Sequence, residues 1–116
     1  MAKKRTFVQG MGMLNLLSDR DWITILTVLI RDGGKEAEPL AQTLLSRTKH
    51  GRQIRLLRLI SEKKPTIPEM QRTMKVSRRT IFRDLNSLEG YGITLNVDDN
   101  YRYSVSNVPK NMGRLL

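Results

Sequence analysis

The chain has no cysteine, which excludes a disulfide framework and any thiolate metal site. Its one histidine, His50, argues against a histidine metal cluster and against a catalytic triad. No low-complexity tract is present. The longest apolar run, roughly Trp22 to Ile30, is about half the length a membrane span needs. The start MAKKRTFVQGMG has basic residues but no apolar stretch behind them, so it does not read as a signal peptide. A soluble, reducing, cytoplasmic setting is the expectation. No nucleophile–base pair, no spaced carboxylate pair and no phosphate-cradling glycine loop stands out, and Gly33-Gly34-Lys35 alone is too short a signal for the last. The sequence therefore reads as a non-enzyme, with no cofactor and no small-molecule substrate implied.

Negative charge is scarce as well. Eleven Asp and Glu face 21 Lys and Arg, for a net charge of +10 and a pI near 10.5. Such a balance says little about fold but favours polyanionic partners, nucleic acid first and an anionic membrane surface second. The charge is uneven: residues 1–50 carry a net +3 and residues 51–116 a net +7. The second half is where a polyanion is expected to bind.

Along the chain, residues 1–12 read as a flexible basic arm, with Lys3, Lys4 and Arg5 either solubilising or reaching for a groove. Ser18 to Asp21 resembles a capping box. Trp22, Ile25, Leu26, Leu29 and Ile30 follow at helical spacing. The β-branched residues in this run make a strand the rival, but helix is the better fit. Asp32-Gly33-Gly34 ends it. A second helix is expected from about Glu36 to Thr48. Its apolar positions are Leu40, Ala41, Leu44 and Leu45, Pro39 lies in its first turn, Arg47, Lys49 and His50 lie at its negative end, and Gly51 is the break.

From Arg52 the pattern sharpens. RQIRLLRLISEKK puts Ile54, Leu56, Leu57 and Ile60 on one wide face and repeats Arg52, Arg55 and Arg58 every three residues on another, either solvated or touching phosphate. Pro65 ends this helix. TIPEMQRTM is a short helix capped by Thr66. Lys75-Val76 forms a tight turn, and Ser77 caps a further helix, roughly Ser77 to Gly90, with Ile81, Leu85 and Leu88 as its buried stripe. Then the period changes: ITLNV and YRYSV alternate around Asp98-Asp99-Asn100, a β-hairpin signature.

Three helices, a three- to four-residue turn between the last two, and a closing hairpin make a mainly α winged helix-turn-helix layout preceded by a helical extension. The helix begun by Ser77 would bury its apolar stripe and present Arg78, Arg79 and Arg83 outward. The major groove admits one helix, and helix-turn-helix proteins use the first residues of the second helix, here Ser77, Arg78, Arg79 and Thr80. Arginine's planar fork suits guanine or phosphate, and the free N–H groups at Ser77 suit a phosphate oxygen. The bland alternatives are a solvated charged face and, for Arg83, an ion pair with neighbouring Asp84.

SRRTIFRDLNSLEGYGI, with RLLRLI before it and YRYSV after it, resembles the DNA-binding domain of DeoR-type and WYL-type bacterial regulators. In that family a Ser-x-x-Thr-Ile/Val-x-Arg-Asp-Leu-x-x-Leu segment is the recognition helix. Ser77, Thr80, Ile81, Arg83, Asp84, Leu85 and Leu88 fill those positions here. The resemblance spans about residues 52–106 and implies sequence-specific binding of double-stranded DNA. The family's turn often has glycine where Lys75 stands. A lysine there costs on the order of 1 kcal/mol if it adopts positive φ, so either the turn differs or Lys75 is kept for a phosphate.

The resulting expectation is a transcription regulator, a repressor of bacterial, phage or mobile-element origin, with DNA contacts from Lys75, Ser77, Arg78, Arg79, Thr80, Arg83 and the wing's Arg102. Residues 13–51 form the helical extension, expected to pack on the 52–106 domain and to support a homodimer. Trp22 belongs to the core or to that interface, and residues 107–116 form a tail. Alternatives are an architectural or excisionase-like recombination factor, a winged helix that docks on a protein, and a tandem reader in which residues 36–60 form a second, degenerate helix-turn-helix.

Overall fold

Ser18 starts the first helix, α1 (Asp19–Asp32). Its hydroxyl accepts the Asp21 N–H at 3.1 Å, while the Asp21 carboxylate accepts the Ser18 N–H at 3.3 Å. The two groups satisfy backbone donors that a helix start otherwise leaves open. This computed structural model describes residues 17–110 and Met112; the basic arm expected at 1–12 lies outside them. α1 buries Ile23, Leu26 and Thr27, with Ile30 packed against the core. Ile25 and Val28 stay exposed at 44% and 43%. The expected stripe of Trp22, Ile25, Leu26, Leu29 and Ile30 is thus rotated. α1 is apolar around much of its girth, so its spacing admits two stripes, and packing selects between them.

The second helix, α2 (Gly34–Arg47), begins two residues before the expected Glu36, because Gly34 takes φ +62° and turns the chain at once. Pro39 therefore lies in the second turn rather than the first. Ala41 and Leu45 are buried, but Leu40 is 55% exposed. Only Thr48 separates α2 from α3 (Lys49–Lys63), and its hydroxyl accepts the Gly51 N–H at 2.9 Å. Gly51 is thus no break. It lies in the first turn of α3, where a Cβ would come within 2.2 Å of the Leu44 carbonyl oxygen and 2.5 Å of the Leu45 Cα. Its missing side chain lets α3 cross close over the end of α2. Lys49 and His50 consequently belong to α3, not to the negative end of α2. A one-residue link also removes the tandem reading, which needs a three- to four-residue turn at this point.

α3 is the central element. Gln53, Ile54, Leu56, Leu57 and Ile60 are buried along it, and α1, α2 and the later elements share one apolar cluster with it. Each such Leu or Ile contributes on the order of 1.5–3 kcal/mol by leaving water. α1 and α2 pack on α3, and among the described residues no separate small core forms. α1 and α3 are also tied at their starts. Asp19 accepts Lys49 Nζ at 3.2 Å and lies 2.9 Å from His50 Nε2, and Trp22 stacks on the His50 ring with centroids 6.0 Å apart. The hydrogen bonds from His50 and Lys49 hold the Asp19 carboxyl below the usual carboxylate range.

Lys64, in the left-handed region at φ 48°, ends α3 before Pro65. Thr66 caps α4 (Ile67–Met74) in a reciprocal pair with Glu69. Lys75, Val76 and Ser77 turn the chain into α5 (Arg78–Gly90). Gly92, at φ +99°, then redirects it into the hairpin of β1 (Thr94–Val97) and β2 (Tyr103–Asn107). The strands are antiparallel, with Leu95 opposite Val105 and Val97 opposite Tyr103, and an irregularity between Thr94 and Leu95. At the tip, Asp98 accepts the N–H groups of Asn100 and Arg102 at 2.8 and 3.0 Å, and Tyr101 takes φ 62°. The Tyr103 N–H bonds the Pro65 carbonyl and anchors the hairpin to the start of α4. Met112, expected in a featureless tail, is buried in the core. Among the described residues, no helix is long and apolar enough to cross a membrane.

Candidate nucleic-acid interface

α4, a three-residue turn and α5 build the candidate interface. Lys75 holds φ 57° and ψ 46°, so the turn keeps the left-handed geometry that suits glycine and places a lysine in it. The Lys75 and Val76 N–H groups both return to the Gln71 carbonyl, closing α4. Ser77 then caps α5: its oxygen accepts the Thr80 N–H at 3.1 Å, and its hydroxyl donates to Thr80 Oγ1 at 3.0 Å. Both hydroxyls are therefore engaged at the cap, within one turn of the exposed arginines.

The buried stripe of α5 is Ile81, Asp84, Leu85 and Leu88. The apolar members pack in the core that also contains Ile54, Leu57 and Ile60, as expected. Asp84 was not legible as a core residue, yet it is 1% exposed. Arg52 donates to it through Nε at 2.6 Å and Nη2 at 2.8 Å, and Gln53 Nε2 reaches it at 3.3 Å. The Tyr91 hydroxyl donates to Gln53 Oε1 at 2.7 Å. This network fixes the rotation of α5 about its own axis and thereby aims its outer face.

Two expectations change as a result. Asp84 pairs with Arg52, not with Arg83, so Arg83 is left exposed on the outer face. Arg52 commits its Nε and Nη2 to Asp84, with 24% of its side chain left exposed. Likewise Arg55 Nε donates to the Leu45 carbonyl at 2.9 Å. A repeat of three walks around a helix, so Arg52 meets α5 and Arg55 meets α2.

On the outer face, Lys75, Arg78, Arg79 and Arg83 are all exposed. Among the described residues none of the four has a carboxylate within ion-pairing distance. The first turn of α5 contains no acidic residue, so Arg78 and Arg79 occupy its positive end uncompensated. Cations there are unfavourable by about 0.3–1 kcal/mol each, a local cost that an anion at the same place reverses. Arg102 is arranged differently. Its guanidinium donates to the Lys64 carbonyl at 3.0 Å and lies 3.5 Å from Glu69, so it braces the hairpin against the start of α4. The hydrogen bond from Thr66 is the main influence holding the Glu69 carboxyl below its ordinary range, with a smaller contribution from Arg102. Two exposed rings on this side were not legible from the spacing of residues. Phe82 is 38% exposed, with the Arg78 guanidinium carbon 5.2 Å from its centroid, and Tyr101 at the hairpin tip is 76% exposed. An open cleft of about 410 Å³ between Pro68, Arg78 and Tyr101 joins α5 to the hairpin.

A short capped helix, a three-residue turn, a basic helix locked onto α3 and a hairpin beside it define a winged helix-turn-helix. Residues 52–102 match a family model described as an HTH domain, a family carried by WYL- and DeoR-type regulators. The match covers less than half of the chain; over this segment the chain is similar to that family, and the helix-turn-helix with its closing hairpin agrees with the resemblance drawn from the motif. No curated protein and no solved structure matches the chain.

Proposed function

We propose that the protein is a sequence-specific transcription regulator that places α5 in the major groove and represses by occluding a promoter. The observation that carries this reading is the pair Arg78 and Arg79, exposed at the positive end of α5 with no carboxylate partner among the described residues. Their fork-shaped side chains suit guanine edges or phosphates. Arg83 continues the same face one turn on, and Lys75 stands at the preceding turn, where a phosphate contact offsets the strain of its backbone. Thr80, whose hydroxyl accepts from Ser77, keeps its own O–H to donate to a phosphate at the helix start that Ser77 caps, where the first backbone N–H groups of α5 also point. Arg102 contributes chiefly by holding the wing in place.

One such domain reads a short site, so two copies acting on paired half-sites fit the chemistry of an operator. The outward faces of α1 and α2, with Ile25, Val28 and Leu40 exposed, supply apolar surface for a homodimer. Selection from random duplex DNA tests the whole reading. A pair of related half-sites supports a dimeric regulator. Failure to enrich any sequence, with uniform binding to all duplexes, contradicts it. Ile25→Glu with Val28→Glu is expected to yield a monomer in sedimentation; an unchanged assembly state removes the α1 face from the account.

A further inference from the structure

Phe82 is an aromatic ring among cations, outside the apolar core, on the helix assigned to the groove. Its neighbours in sequence are buried Ile81 and exposed Arg83. Arg78 precedes it by one turn and lays its guanidinium over the ring at 5.2 Å. A cation–π contact uses the charge of the guanidinium rather than its N–H donors, which can still reach outward. The ring remains 38% exposed. The pair therefore presents two kinds of surface together: a planar donor fork and an apolar contact.

In the major groove these match two different bases. The fork matches the O6 and N7 acceptors of guanine, and the ring matches the C5-methyl of thymine, the one apolar group a base pair shows there. Four helical residues advance about 6 Å, against roughly 3.4 Å per base pair. The two contacts thus fall one to two base pairs apart.

We propose that Phe82 is a specificity-determining residue that reads the C5-methyl group of a thymine, one to two base pairs from a guanine taken by Arg78. This inference rests on the reading of α5 as the groove-binding helix.

The test replaces each thymine of the selected duplex, one at a time, by deoxyuridine, which removes only the methyl group. Binding is titrated for the wild type and for Phe82→Ala, with Arg79→Ala alongside. At one thymine the wild type is expected to bind about threefold to tenfold more weakly, while Phe82→Ala is indifferent to that same replacement. The wild-type scan needs no variant and stands even if Phe82→Ala folds poorly. A scan with no sensitive thymine overturns the inference, as does a variant that remains sensitive like the wild type. If Arg79→Ala weakens binding while the scan is silent, Phe82 alone has been misread. If Arg79→Ala also binds as the wild type does, the assignment of α5 falls and takes this inference with it.

Discussion

The Asp84 carboxylate, on α5, and the Arg52 guanidinium, on the central helix α3, meet through two hydrogen bonds of 2.6 and 2.8 Å with the carboxylate almost wholly buried. The pair is the polar pin between the scaffold and α5. Removing one member of a buried pair leaves the other uncompensated, which costs about 3–5 kcal/mol. Asp84→Ala is expected to destabilise by that amount in urea unfolding, a large share of a small domain's roughly 5–15 kcal/mol. Replacing both together, Arg52→Met with Asp84→Leu, is expected to cost clearly less than the two single changes combined.

Tyr91 gives the network a signature in alkali. Burial, with Asp19 and Asp84 near by, pushes its hydroxyl from 10.0 up to about 12. The folded state therefore keeps this proton where the unfolded chain loses it. The contribution is complete below pH 10 and fades as pH rises from 10 towards 12, at up to about 1.4 kcal/mol per pH unit. Tyr91→Phe should lose about 1 kcal/mol at neutral pH by orphaning Gln53 Oε1, and should flatten this part of the alkaline decline. Urea midpoints measured between pH 8 and 12 for both proteins check the sign.

Lys75 separates stability from binding. Glycine adopts φ 57° without the steric cost a lysine bears, though it also loosens the unfolded chain. Lys75→Gly is expected to stabilise the fold by about 0.5–1 kcal/mol. If the lysine serves a phosphate, the same variant binds DNA more weakly and its log–log salt slope shrinks by about 0.9. Thermal melting and a salt titration read the two effects independently.

Much of this fold was legible because its cues are local. The caps at Ser18, Thr66 and Ser77 each stand three residues before the N–H or carboxylate they bind, and the switch from a 3.6-residue to a two-residue period marks the hairpin. What escaped depends on contacts distant in sequence. Arg52 and Asp84 are 32 residues apart, so no spacing rule pairs them, and Asp84 looked like a partner for adjacent Arg83. The rotation of α1 escaped for a related reason: both of its faces are apolar, and only the surface of α3 decides between them. Phe82 fits a helical pattern equally well inside or outside, and its exposure follows from the setting of α5 by the buried network.

Gly51 was read as a break because glycine so often ends helices. Its actual role is clearance. Gly51→Ala places a methyl against the α2 backbone and forces α2 and α3 apart, at an expected cost of about 1–3 kcal/mol, despite alanine's better helix propensity. A surface glycine would show the opposite sign, so the direction of the shift in melting temperature decides the matter.

The central claim is that the N-terminal turns of α5 meet DNA. The most direct measurement is a titration of the selected duplex across several salt concentrations with wild type and Arg79→Ala. The account predicts either a salt slope reduced by about 0.9, for a lost phosphate contact, or about 1–3 kcal/mol of lost discrimination at one base pair, for a lost base contact. An Arg79→Ala protein that binds with the wild-type slope and the wild-type preference at every position would contradict it.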